Sequence, residues 1–219
     1  MSEDDLLLRH PRYTRVLHWL VAIFFILALG SGFAIYTPWL FHLLTPLFGG
    51  GPTTRILHPW FSIGFIVAFA LQVVNWLEPM AWTADDRRWM RRIREYVSHT
   101  STVEPEYVGF FNGGQKVYFW AIVACAVVFL VSGIFMWFPQ TFGRGLASFA
   151  YVLHDLAALV MLAGFIVHVY EGTAATPGTF QAMTRGTVEK RWAWTHHPAW
   201  YRQATGRDAR TDYARERNL

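Results

Sequence analysis

Four apolar runs, Val16–Tyr36, Ile56–Leu77, Val117–Phe138 and Leu146–Tyr170, decide what this chain can fold into. Each holds 21 to 25 residues, and about 20 suffice to cross a hydrocarbon core as a helix. In lipid the backbone must satisfy its own polar groups, so only helices and closed barrels cross. The runs are continuous rather than alternating, which excludes barrel strands. The sequence therefore predicts an all-α, four-transmembrane-helix bundle, organised as one domain over residues 1–219. Composition agrees, with 53% hydrophobic residues against 16% charged. No internal repeat or low-complexity tract appears. The first run is too long for a signal-peptide core and follows Glu3, Asp4 and Asp5, so it reads as a span rather than a cleaved leader. The lone Cys125 lies inside the third run and reads as a small packing residue.

Charge orients the bundle. Arg9, Arg12 and Arg15 precede the first run. Arg87, Arg88, Arg91, Arg92, Arg94 and Lys116 lie between the second and third, and Arg185, Lys190, Arg191, Arg202, Arg207, Arg210, Arg215 and Arg217 follow the fourth. These segments share one side and hold 17 of the 19 basic residues, leaving Arg55 and Arg144 on the other. The positive-inside rule puts both termini in the cytoplasm of a bacterial inner membrane. Topology thus explains the pI of 9.4, and no nucleic-acid partner is needed. The arginine run in the middle segment reads as a solvated, lipid-facing face.

Four histidines lie within the runs. His154 and His168 are 14 residues apart in the fourth, which places them on nearly one helix face, about 21 Å apart. His18 and His168 stand near the inner surface; His58 and His154 stand in the outer half. The outer pair is mismatched by roughly six residues, or about 9 Å of helix rise. Zinc would want more ligands, with carboxylates or thiolates that are absent nearby. Haem iron wants two axial ligands and an apolar slot between helices. Without Cys-x-x-Cys-His any haem is non-covalent, so the pattern predicts two b-type haems. The plainer alternative is four isolated, hydrogen-bonded core histidines; intramembrane ionisable residues favour function. Gly30, Gly32, Gly64, Gly133 and Gly164 would let a porphyrin approach, and ordinary helix packing explains them equally. His10, His42, His99, His196 and His197 lie in polar or loop segments and read as surface residues. Arg15 and Arg55 could hold haem propionates or anchor at the interface.

Several strings together resemble the gamma subunit, cytochrome b556, of respiratory membrane-bound formate dehydrogenase. They are Arg55-Ile56-Leu57-His58-Pro59, Asn112-Gly113-Gly114-Gln115-Lys116, the His154–His168 spacing, and Arg191-Trp192 followed by His196-His197-Pro198 and Trp200-Tyr201-Arg202. The resemblance runs nearly the whole length. It implies an inner haem held by His18 and His168, and an outer haem held by His58 and His154. It also implies a quinone site at Asn112, Gly114, Gln115 and His168, with Lys116 a weaker candidate. Without the resemblance, Asn-Gly-Gly is a turn before the third helix. The family's catalytic subunit oxidises formate at a molybdenum or tungsten pterin outside the membrane, and an iron–sulfur subunit passes electrons inward. This chain would then carry them from outer to inner haem and reduce menaquinone or ubiquinone with cytoplasmic protons. The family often assembles as multimers of the three-subunit unit. Asp155 and Glu171 are not family features; Asp155 reads as hydrated and Glu171 as a helix-end charge or a proton relay.

Two alternatives stand beside this. One is the cytochrome b of a nickel–iron hydrogenase or thiosulfate reductase. The other is a non-redox transporter or assembly protein using histidines for metal or protons. The outer loop Thr37–Arg55, rich in Trp39, Phe41, Leu44, Pro46 and Phe48, could lie in the interface or dock a partner. The tail, residues 173–219, could fold against the loop Glu78–Gln115 or cover a partner's membrane segment.

Overall fold

The computed structural model describes residues 5–98 and 103–212. Four long helices carry the apolar runs: α1 (Arg12–Tyr36), α3 (Gly51–Trp76), α6 (Gly113–Trp137) and α8 (Arg144–Tyr170). Each begins two to five residues before its apolar run, because helical hydrogen bonding continues through the polar interface while hydropathy marks only the hydrocarbon. All four are long and apolar enough to cross a membrane. Their outward faces carry exposed Ile23, Val67, Val74, Leu159 and Ile166, an apolar surface that suits lipid and not water.

The shorter elements are α2 (Pro38–Leu44) with a 3-10 turn at Thr45–Phe48, α4 (Ala84–Met90), α5 (Ile93–Val97), α7 (Pro139–Phe142), α9 (Thr179–Thr184), α10 (Lys190–His196) and α11 (Pro198–Thr205). A π-turn, Glu171–Ala175, continues α8. The all-α expectation misses one small sheet. β1 (Leu6–Leu8) pairs antiparallel with β2 (Thr187–Glu189), Leu7 opposite Val188.

The chain forms two compact units. One is Tyr13–Asn75 with Ile122–Ile166; the other is Met1–Arg12, Trp76–Ala121 and Val167–Leu219. In the first, helix packing is aromatic: Phe25 meets Phe65 and Phe165, and Trp60 meets Trp137 edge-on. Gly64 is pressed on Phe24, whose ring would lie 2.5 Å from an added Cβ. That glycine is a packing residue. The Asn75 side-chain amide donates to Thr14 Oγ1 at 3.1 Å, which fixes the register of α3 against α1.

In the second unit, called the cap for brevity and without regard to its placement, the tail folds onto the 103–111 loop, one of the two courses the sequence left open. Its apolar core is Ala182, Val188, Trp192, Ala193, Trp194, Trp200 and Tyr201. Glu104 N–H donates to the Thr195 carbonyl, and Ala199 N–H to that of Val108. Arg9 is 4% exposed and stacks its guanidinium on Phe110 and Trp200. It donates to the Phe110 carbonyl and, at 3.3 Å, to His197 Nε2. Burial pulls its pKa down to about 9, so it stays a cation at neutral pH.

Two of the histidines expected at the surface are therefore buried. His197 is 2% and His10 5% exposed, and His196 is half-buried. Aromatic rings cover them, with His10 against Phe110 and Phe111 and both His196 and His197 against Trp192. His42 is exposed as expected. The arginines at 87, 88, 91, 92 and 94 are exposed too. His99, Glu3, Asp4, Arg215 and Arg217 fall outside the described residues.

Candidate functional site

His58 and His154 come together in the first unit. Their ring centroids are 6.3 Å apart, at 66° between planes. Measured from the helix starts at Gly51 and Arg144, the depth mismatch falls to three residues, about 4.5 Å of rise. The apolar runs exaggerated it because α3 begins five residues ahead of its run and α8 only two. Gly32 helps seat His58: an added Cβ would stand 3.2 Å from its Cε1.

The ring nitrogens are not equivalent. His58 Nδ1 lies 3.1 Å from the Ala28 carbonyl and 3.0 Å from Ser31 Oγ. A carbonyl only accepts, so Nδ1 carries the hydrogen. Ser31 gives its own hydrogen to the Leu27 carbonyl and accepts from His58. His154 repeats the device. Its Nδ1 is 2.9 Å from Ser132 Oγ, and Ser132 donates to the Val128 carbonyl at 2.6 Å. Both rings thus present Nε2 as the bare nitrogen. Among the described residues neither Nε2 has a hydrogen-bond partner. Metal-bound histidines hold their other nitrogen in this way. Two metal–imidazole bonds of about 2 Å, plus the reach from each nitrogen to its ring centre, fill the observed gap. The residues fit a bis-histidine haem iron.

The serines were missed in the sequence reading. A serine in an apolar helix normally returns its hydroxyl to the carbonyl one turn back, and both do. Only the partner histidine, on another helix, reveals the second task.

His18 and His168 fall in different units. His18, on α1, meets Trp19 edge-on. His168, near the end of α8, stacks on Tyr118 with rings 5.2 Å apart and 2° from parallel. Gln72 lies level with His18. It is 3% exposed, and among the described residues neither amide atom has a hydrogen-bond partner. From the Thr14–Asn75 bond, one turn along each helix reaches His18 and Gln72. A buried, unpaired amide costs free energy, and the polar edge of a bound cofactor would satisfy it.

The Asn112–Gln115 string starts α6 as a reciprocal cap. Asn112 Oδ1 accepts from Gln115 N–H, and Gln115 Oε1 accepts from Asn112 N–H, both at 2.9 Å. This leaves both side-chain NH₂ groups as donors. Gly113 and Gly114 have a packing role: an added Cβ on either would meet the Trp89 ring at 2.9 Å. Lys116 is buried with Asp86 at 2.8 Å and the Ala81 carbonyl at 2.9 Å. Burial opposes Asp86 ionisation, yet Lys116 and Thr83 hold its pKa below the ordinary value. Lys116 is a structural ion pair rather than a free donor. A cavity of about 390 Å³ is lined by Asn112, Gly113, Lys116, Tyr107, Phe111 and Trp89 among others. Arg55 is exposed and Arg15 half-buried.

The sequence is similar to those of known proteins. The profile of the prokaryotic cytochrome b561 family matches residues 9–186. The cytochrome b556(fdo) subunit of formate dehydrogenase from Escherichia coli K12 is 33% identical over 206 residues, 93% of this chain and 95% of the relative. The nitrate-inducible b556(Fdn) subunit from that strain is 31% identical over 215 residues, 97% and 98% of the two chains. The formate dehydrogenase cytochrome b556 subunit of Haemophilus influenzae Rd is 30% identical over 206 residues, 93% and 85%.

Proposed function

This chain belongs to the prokaryotic cytochrome b561 family, and we propose that it is the membrane cytochrome b subunit of a formate dehydrogenase complex. It holds two b haems and reduces quinone. The observation that carries the reading is the His58–His154 pair, 6.3 Å apart with both Nδ1 groups occupied. The names of its relatives supply the complex. An iron–sulfur subunit and a molybdenum or tungsten pterin subunit are then its partners.

His58 and His154 hold the outer haem through Nε2, while Ala28, Ser31 and Ser132 fix their tautomers. His18 and His168 hold the inner one, with Gln72 at the level of His18. Haem held there would supply one-electron transfer. Asn112 and Gln115 offer amide hydrogens to a quinone carbonyl, beside the exposed N–H groups of the α6 terminus. Gly113 and Gly114 let Trp89 close under that loop. Arg15 and Arg55 stand at the two interfaces for propionates.

The excess of basic residues in the terminal and middle segments supports cytoplasmic termini in a bacterial inner membrane. Electrons entering outside and protons entering inside make the reaction electrogenic, at about 2.3 kcal/mol per charge per 100 mV. Formate oxidation in the partner provides that energy.

A pyridine haemochrome assay on the purified complex tests the reading. Two b haems per copy of this chain, both reduced by formate and reoxidised by quinone, are expected. No haem, or haem that formate leaves oxidised, contradicts it.

A further inference from the structure

The cap unit contains a partly buried polar cluster that the steps above leave unused. Tyr96, on α5, donates its hydroxyl hydrogen to Glu171 Oε2 at 3.1 Å. Glu171 opens the π-turn one helical turn past His168. The Tyr96 ring packs edge-on against Trp89 at 5.1 Å, and Trp89 Nε1 donates to Glu104 Oε2 at 2.9 Å. The other oxygen, Glu104 Oε1, is buried and has no hydrogen-bond partner of ordinary geometry among the described residues. The Asn112 side chain lies against both Tyr96 and Glu104, close enough to favour their charged forms. Glu104 in turn acts on Tyr96 by its charge.

These contacts have a direction. Burial raises the Glu104 pKa, opposed by Trp89, Arg92 and Asn112, so Glu104 holds its proton more tightly than a solvated carboxyl does. Burial, then Glu171 and Glu104, raises Tyr96, so the phenol stays neutral and both donates and accepts. Its hydrogen already points at Glu171, which makes Glu171 the receiving end. Of the charged groups facing the cluster, Arg92 is exposed and already bound by Glu95 at 2.6 Å.

We infer that Glu104, Tyr96 and Glu171 form the route by which protons reach the quinone. The inference rests on the proposed quinone site at Asn112 and His168. Glu104 gives its proton to the Tyr96 oxygen as Tyr96 gives its own to Glu171, and Glu171 passes it to a quinone oxygen. Solvent then reprotonates Glu104. Two such passages, with two electrons delivered from formate, convert quinone to quinol and leave every residue as it began. Asn112 both holds the quinone carbonyl and lies against the two donors.

The test uses the intact formate dehydrogenase complex carrying Glu104→Gln, Glu104→Asp or Tyr96→Phe, with formate as reductant and a soluble quinone as acceptor. Glu104→Gln and Tyr96→Phe should each slow quinol formation by roughly 100-fold. Formate should still reduce both haems, which accumulate in the reduced state. The wild-type rate should fall with rising pH as Glu104 ionises, the Glu104→Gln profile should be flat, and Glu104→Asp should restore the slope. Tyr96→Phe removes one oxygen and keeps the ring packing, so it protects the test against misfolding of the Glu104 variants. Wild-type quinol formation and pH profile in Tyr96→Phe overturn the route whatever the Glu104 variants do. A wild-type complex that makes no quinol sinks the quinone-reduction reading instead.

Discussion

His58 and His197 each place Nδ1 against a backbone carbonyl, at 3.1 Å and 2.8 Å. One is a candidate ligand and the other a structural residue. The difference lies in the second nitrogen. In the cap, Arg9 donates to His197 Nε2, and burial beside that cation holds the His197 pKa well below the ordinary histidine value. In the membrane unit, Nε2 of His58 and of His154 has no hydrogen-bond partner among the described residues. A buried histidine's role is thus read from its uncommitted nitrogen rather than from its burial, a criterion that the sequence does not display.

The largest effect expected is His154→Ala, which removes one of the proposed haem ligands. Haem content should fall from two to one per chain by pyridine haemochrome assay, with the cap intact. His197→Ala should do the opposite, keeping two haems and loosening the tail, measured as faster proteolysis. Haem loss in His197→Ala would mean that the two histidines are not different in kind.

Asp86→Ala comes next. It strands the Lys116 cation inside the cap, and breaking a buried pair costs about 3–5 kcal/mol. Detergent-phase denaturation should show this loss while haem spectra stay unchanged. Ser132→Ala should keep both haems but weaken the outer one by about 10–100-fold, as loss of a group that orients a metal ligand does. Stepwise haem extraction would measure it, and unchanged retention would remove the serine from the site.

The smallest effect is on acid sensitivity. Burial takes His196 down to about 4 and His197 lower. Both bind fewer protons folded than unfolded. The cap should therefore lose stability as pH falls below about 6.5, continuing towards about 4. Above that window neither group contributes. Tryptophan fluorescence from Trp192 and Trp194 should follow the loosening. A cap equally stable at pH 7 and pH 4.5 would contradict the burial of these rings.

Much of the membrane unit was legible because lipid imposes one rule: a run of apolar residues long enough to cross. The depth grouping of His58 with His154 followed from the same runs, and its error came from taking apolar ends as helix ends. Ser31 and Ser132 were illegible, since a hydroxyl bonded to its own helix leaves no periodic signal. The cap was read less well. A three-residue strand pair has too little pattern to detect, and His10, His196 and His197 sit among charged residues that suggest solvent. Only the folding of the tail over the 103–111 loop encloses them in tryptophan and phenylalanine. The Asn112–Gln115 string was legible as the approach to the third helix, and the structure makes it that helix's reciprocal cap.

A density map of the purified complex would show whether iron sits between the rings of His58 and His154. Iron should lie about 2 Å from Nε2 of both His58 and His154, with Nδ1 of each still on Ala28 and Ser31 or on Ser132. Iron bound through Nδ1, or two rings with no metal between them, would contradict the proposed ligation.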